Sequence, residues 1–179
     1  MQKLTYDEIS KTRFTKHELK LLPKFPIYVL AENIRSAYNV GSIFRTSDGA
    51  RIEKLFLSGV SAFPPNKNVE KTALGSTETV NWEYKKNSID IIRELKSQKI
   101  SICILEHTNK SIPYCDFPKK EFPVCLVVGN EITGISNEVV NEADLAIEVP
   151  MFGLKQSLNA SIAYGIALFE LVKIFQTRV

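Results

Sequence analysis

The stretch from Leu145 to Leu171, LAIEVPMFGLKQSLNASIAYGIALFEL, limits the fold more than any other part of the chain. Leu145, Ile147 and Val149 are apolar and stand two residues apart, the period of a strand. Pro150 then removes a backbone donor, so the strand stops there. Met151 to Gln156 reads as a loop in which Gly153 permits tight backbone geometry. Either Ser157 or Asn159 can cap the helix that follows, which runs to about Phe175. That helix is apolar on nearly every side. Leu158, Ile162, Ile166, Phe169 and Val172 form a stripe at helical spacing, and Ala160, Ala163, Gly165 and Ala167 offer small surfaces where another backbone can approach. Such a helix needs cover from its own sheet, a second subunit, or both.

The rest of the chain supplies a sheet. PIYVLAEN, from Pro26, suits a buried strand, and the segment after it reads as loop, helix, turn and second strand. Asn39 and Gly41 open that helix, with Val40, Ile43, Phe44 and Ser47 on one side. A loop bearing Pro64 and Pro65 leads to a short helix over Val69 to Leu74 and a strand around Trp82. Asn87 to Lys99 is an amphipathic helix whose apolar face holds Ile89, Ile92 and Leu95. ISICILEHT makes a fourth strand, and FPVCLVVGNEITGIS a fifth, ending at Gly129. Alternating strands and helices predict an α/β domain, a parallel sheet of about six strands flanked by helices with right-handed crossovers. A length of 179 residues with 44% hydrophobic composition suits one domain, placed at 26–179 behind an extension at 1–25.

Several function classes are disfavoured. No apolar run approaches the roughly 18 residues of a membrane span, and MQKLTYDEISK lacks the apolar centre of a signal peptide, so a cytoplasmic protein is expected. Cys103, Cys115 and Cys125 show no CxxC spacing, two of them sit in buried apolar runs, and the only imidazoles are His17 and His107. Reduced thiols and no metal site are therefore expected. Neither GxGxxG after the first strand nor GxxxxGK[ST] occurs. A hydrolase built on Ser157 would need a histidine beside it, and neither histidine has a reason to lie there.

Charge is uneven along the chain. Residues 1–25 hold six basic residues (Lys3, Lys11, Arg13, Lys16, Lys20, Lys24) against Asp7, Glu8 and Glu18, an excess equal to the whole chain's formal charge of +3. Thr5 to Glu8 and Thr15 to Glu18 both fit a capping box, which predicts two short helices. These helices either grip nucleic-acid phosphates or form a solvated extension that packs Leu19, Leu21 and Leu22 on the domain.

Three motifs give the chain a resemblance. Asn39, Gly41 and Arg45 form N-x-G-x-x-x-R, GNEITGIS places Gly129, Glu131, Gly134 and Ser136 as in G-x-E-x-x-G-L-S with Ile135 for Leu, and VPMFGLKQSLNAS follows IPM, a loop, then SLNVS, with Val149 for Ile and Ala160 for Val. In this order they resemble the SpoU group of RNA ribose methyltransferases, within the SPOUT class of knotted enzymes. KTALGSTE is similar to a further phrase of that group, with Ser76 for its usual Ala. The resemblance implies a C-terminal trefoil knot and a cleft for S-adenosylmethionine formed by the loops after Leu105, Gly129 and Val149, closed by Ser157 and Leu158, with Met151 either on the adenosine or in the core. It also implies a homodimer through the last helix and the first motif's helix, and RNA, transfer or ribosomal, as substrate.

Methyl transfer from a sulfonium to a hydroxyl requires alignment of three atoms and departure of a proton. Arg45 is the group's activating residue, but a guanidinium is a poor base at its usual pKa. Stabilising a developing alkoxide fits it better, with Glu131 holding it and water or a phosphate oxygen taking the proton. Asn39, Ser157 and Asn159 complete the catalytic set, Asn159 either orienting ligand or only capping its helix. Lys16, Lys20, Arg35, Lys67 and Lys71 are the candidates for RNA contact, although Lys71 also suits a surface helix. An active 2'-O-ribose methyltransferase and a non-catalytic module that holds RNA or cofactor both fit the fold. Retention of Asn39, Arg45, Glu131, Ser157 and Asn159 favours the enzyme.

Overall fold

Ile27, Val29, Leu30 and Ala31 are all completely buried, as a strand apolar on both faces must be. They belong to β1 (Phe25–Glu32), near the middle of a sheet in a computed structural model that describes residues 1–177, apart from the side chains of Lys16 and Lys20. The other strands are β2 (Ile52–Ser58), β3 (Trp82–Lys85), β4 (Ser101–Leu105), β5 (Ile112–Pro113), β6 (Val124–Val128) and β7 (Leu145–Glu148). Their order is β3-β2-β1-β6-β4-β7-β5, and every pairing is parallel. The seven strands exceed the expected six by β5, which has only two residues and therefore no period to read.

Helices cover both faces. Residues of α3 (Ala37–Gly49), α4 (Lys67–Ala73) and α7 (Ala160–Gln176) share one core with Val29, Leu55, Leu126 and Ile147. α5 (Ser88–Ser97) and α6 (Asn137–Glu142) share the other with Leu30, Phe56, Ile102 and Val127. Successive strand residues thus divide between the two cores, as the two-residue side-chain period requires. The sequence does not mark α6, which at six residues spans under two helical turns and lacks the capping boxes that mark the equally short α1 and α2. Ser36 caps α3 by accepting from Asn39 N, so that helix begins before Asn39.

The last helix runs where expected, but its phase differs. Tyr164, Ala167, Leu168, Leu171 and Val172 are buried, whereas Leu158, Ile162 and Phe169 of the expected stripe are 37, 55 and 50% exposed. A helix that is apolar all round carries no polar face to fix which stripe meets the sheet. Tyr164 supplies that selection. Its hydroxyl and Ser47 Oγ of α3 lie 2.7 Å apart in the core, so the buried phenol is satisfied and the two helices are registered.

At the N-terminus, α1 (Tyr6–Lys11) and α2 (Lys16–Leu21) form with both capping boxes complete. β1 starts at Phe25, one residue before the boundary read from the sequence. Leu19 and Leu22 are half-buried in a groove beside Asp48, Arg51 and Val80, while Leu21 is 74% exposed. Cys103 and Cys125 are buried and Cys115 is exposed. Burial pushes the thiols of Cys103 and Cys125 far up, which leaves them unreactive. Among the described residues no helix is long and apolar enough to cross a membrane.

The glycine of the first motif has a packing reason. A Cβ on Gly41 would stand 2.0 Å from Thr72 Oγ1 and 2.3 Å from the Val69 carbonyl oxygen, so α3 meets α4 backbone to backbone there. Gly41→Ala must separate the helices, a strain of about 1–3 kcal/mol. Urea unfolding of the variant is expected to show a lower midpoint with unchanged slope; an unchanged midpoint would contradict this packing.

Candidate functional site

β6, β4 and β7 are neighbours in the sheet and run parallel, so the loops that follow them emerge side by side at one edge. Between these loops lies a cavity of about 220 Å³. Its lining includes Leu105, Gly129, Val149, Met151, Ser157 and Leu158, which brings together all six residues assigned to cofactor contact in three separate stretches. Open parallel sheets bind ligands at this edge, outside the carboxyl ends of the strands.

The loop after β6 is folded back on itself. Asn130 and Gly134 exchange backbone hydrogen bonds at 3.0 and 3.1 Å, and Asn130 Oδ1 accepts from Ile132 N and Thr133 N. A Cβ on Gly129 would stand 2.5 Å from Ile135 N, so only glycine lets the strand end so close to the returning chain. Apolar Leu105, Met151 and Leu158 face the cavity together with Glu106, His107, Glu131 and Glu148, and among the described residues its lining contains no lysine or arginine. This combination fits a ligand with a flat apolar part and a positive charge, as S-adenosylmethionine has, and disfavours a phosphate.

Glu131 reaches out of this loop to the start of α3. Its carboxylate accepts from Arg35 N at 3.1 Å, Ser36 N at 3.2 Å and Asn39 Nδ2 at 2.8 Å. Partial burial pushes its carboxyl up, but those donors and its own N–H outweigh burial and hold it below the usual carboxylate range. Asn39 Oδ1 accepts from Asn159 Nδ2 at 3.1 Å, while Asn159 Oδ1 caps α7 by accepting from Ser161 N. Asn159 therefore caps its helix and, in addition, ties it to Asn39. One hydrogen-bonded chain joins the loop after β6 to the first turns of α3 and α7.

Arg45 stands apart from this chain. It is exposed on α3, outside the cavity lining, and no hydrogen bond or ion pair joins its side chain to another described residue. The expected hold of Glu131 on Arg45 is thus corrected, because backbone donors at the helix start and Asn39 occupy that carboxylate. Ser157 is exposed at the cavity and does not cap α7, a place that Asn159 takes. Of the residues assigned to RNA, Arg35 and Lys67 are exposed, and Lys71 Nζ lies 5.9 Å from the Tyr38 ring centroid. The side chains of Lys16 and Lys20 lie outside the described residues.

Two cavity carboxylates were missed in the sequence. Glu106 directly follows β4, and Glu148 ends β7. Ser111 Oγ donates to Glu148, and His107 Nδ1 lies 3.3 Å from it, which together hold that carboxyl below its usual range. Their only signal was position, a charged residue where an apolar strand ends and ligand-binding loops begin.

The SpoU rRNA Methylase family matches residues 26–169. The tRNA (guanosine(18)-2'-O)-methyltransferase of Aquifex aeolicus is 34% identical over 146 residues, 80% of this chain and 67% of that protein. The 23S rRNA (guanosine-2'-O-)-methyltransferase RlmB of Neisseria meningitidis is 29% identical over 85% of this chain and 60% of its own length. Among solved structures, the AdoMet-bound rRNA methyltransferase from Sinorhizobium meliloti superposes with a TM-score of 0.79 at 29% identity, over 89% of this chain and 61% of that one. The A. aeolicus TrmH/SpoU tRNA modifying enzyme gives 0.77 at 31% identity, over 89% of this chain and 83% of that one. The chain spans about 60 to 67% of the length of these curated relatives.

Proposed function

Because the chain belongs to the SpoU rRNA methylase family, we propose that it is a methyltransferase that uses S-adenosylmethionine to methylate a ribose 2'-hydroxyl in transfer or ribosomal RNA, in the cytoplasm. The observation that carries this reading is the meeting of the loops after β4, β6 and β7, the last two bearing the second and third motifs, around one carboxylate-rich cavity joined through Glu131 and Asn39 to the helix that bears Arg45. The relatives named above support the choice of an RNA ribose as acceptor.

Bound in the cavity, S-adenosylmethionine supplies an electrophilic methyl group on a sulfonium. Leu105, Met151 and Leu158 hold the adenosine by apolar contact, and the carboxylate lining favours its positive charge. Glu131 remains ionised at neutral pH and already accepts three donors, so it fixes Asn39 rather than taking the ribose proton. Arg45, unpaired within the described chain, is free to meet the RNA. Its guanidinium stabilises the oxygen as that oxygen loses its proton to water or a phosphate oxygen. Ser157 and Asn159 orient the ribose at the cavity mouth.

The uncovered apolar face of α7, with Ile162 and Phe169, supports a homodimer through α7 and α3. The strand order, in which β6 enters between β1 and β4, supports the C-terminal knot. Residues 1–25 form an extension to a methyltransferase domain at 26–179, and Lys16 and Lys20 act on RNA phosphates together with Arg35, Lys67 and Lys71.

Arg45→Ala is expected to lower methyl transfer about 100- to 1000-fold with cofactor affinity unchanged by calorimetry. Lysine should not restore activity, since it lacks the planar fork that spans a ribose oxygen and a phosphate. Turnover of the alanine variant near wild type in a radiolabel assay would remove Arg45 from the mechanism. Deleting residues 1–25 should leave a dimer by light scattering but weaken RNA binding and flatten its salt dependence, by about one unit of slope per lost phosphate contact. A monomer in the full-length protein would contradict the dimer, and an unchanged salt slope would contradict the phosphate grip.

A further inference from the structure

Two consecutive backbone N–H groups tie the end of the loop after β6 to two different carboxylates. Ile135 N donates to Glu106 Oε2 at 3.1 Å, and Ser136 N donates to Glu32 Oε2 at 2.9 Å. Glu106 comes from the neighbouring loop after β4, where its Oε1 accepts from His107 N at 2.9 Å. Glu32 closes β1, is 2% exposed, and accepts through Oε1 from Ser136 Oγ at 2.8 Å and Ser88 Oγ at 2.9 Å. Gly134 makes room for the first of these ties. A Cβ there would stand 2.4 Å from Glu106 Oε2, and its φ of +69° suits glycine.

Resting on the reading of the cavity as a cofactor cleft, we propose that Glu106 is a positioning residue for that cleft, whose carboxylate locks the loop after β4 to the loop after β6. The two loops form adjoining walls of the cavity, and Glu106 lines it between them. Without the tie the wall must be ordered when ligand arrives, a cost that falls equally on S-adenosylmethionine and on S-adenosylhomocysteine, which lacks the sulfonium charge.

The donors facing Glu106 make the requirement specific. Each of its two oxygens accepts a backbone N–H, and a backbone N–H can only donate. Glutamine has the same shape but would turn its amide N–H₂ against one of those donors. Glu32 differs, because two of its three partners are hydroxyls, which accept as readily as they donate. An amide at position 32 can give its oxygen to Ser136 N and its N–H₂ to Ser88 and Ser136 Oγ, while Ser88 Oγ still pairs with Ser58 Oγ at 2.8 Å. The two carboxylates therefore separate by the same isosteric change.

The test uses the full chain as wild type, Glu106→Gln, Glu106→Ala and Glu32→Gln. Calorimetry with S-adenosylmethionine and with S-adenosylhomocysteine is paired with urea unfolding and with amide hydrogen exchange of residues 129–136. Both Glu106 variants are expected to bind both ligands about tenfold more weakly, with faster exchange at Ile135 in the free protein and an unchanged unfolding midpoint. Glu32→Gln should retain wild-type affinity. Glu106→Gln that binds and exchanges like wild type would overturn the proposal, as would affinity lost only in step with global stability. Wild type that binds neither ligand would instead overturn the cofactor reading, and this proposal with it.

Discussion

Every strand of the sheet runs the same way, so every loop that follows a strand leaves at the same edge, and strand order alone decides which loops meet. β6, β4 and β7 are adjacent although Val124, Ser101 and Leu145 begin them in a different chain order. This adjacency places three stretches around one cavity. It also leaves their backbone groups beyond the sheet, where they need partners of their own. The rest of the site is a response to that need.

Carboxylates answer it. Glu131 receives the N–H groups that open α3, Glu106 receives those of the loops beside it, and Glu32 receives Ser136 N from within the core. Anions at such donors are strong hydrogen-bond acceptors. Glu131 and Glu106, but not Glu32, also line the cavity, so groups that shape the site help to set what enters it. Arg45 lies outside this arrangement with its charge unspent on the protein, a position that suits a group whose partner is the RNA.

Much of this was legible in the sequence, and for identifiable reasons. Apolar runs and capping boxes are local signals, so every strand but β5 and the helices α1 and α2 could be read from residue types, while the convergence of Gly129, Val149 and Leu158 was what the family resemblance implied. The phase of α7 could not, because Ile162 and Leu168 are equally apolar and only the pairing of Tyr164 with Ser47 chooses between their faces. The partner of Glu131 was misassigned for a similar reason. Charge complementarity pointed to Arg45, but the N–H groups of Arg35 and Ser36 carry no mark in a sequence. The roles of Glu32 and Glu106 depend on contacts with residues 104 and 29 positions away, which no local pattern shows.

The central claim is that this cavity and Arg45 together place a methyl group on an RNA ribose oxygen. The most direct measurement is to incubate the full-length protein with methyl-labelled S-adenosylmethionine and unmodified RNA, digest the RNA to nucleosides and analyse them by mass spectrometry. The account predicts label in a nucleoside methylated on the ribose 2'-oxygen, and none when Arg45 is alanine. Label on a base, or folded and cofactor-bound protein that leaves transfer and ribosomal RNA unlabelled, would contradict it.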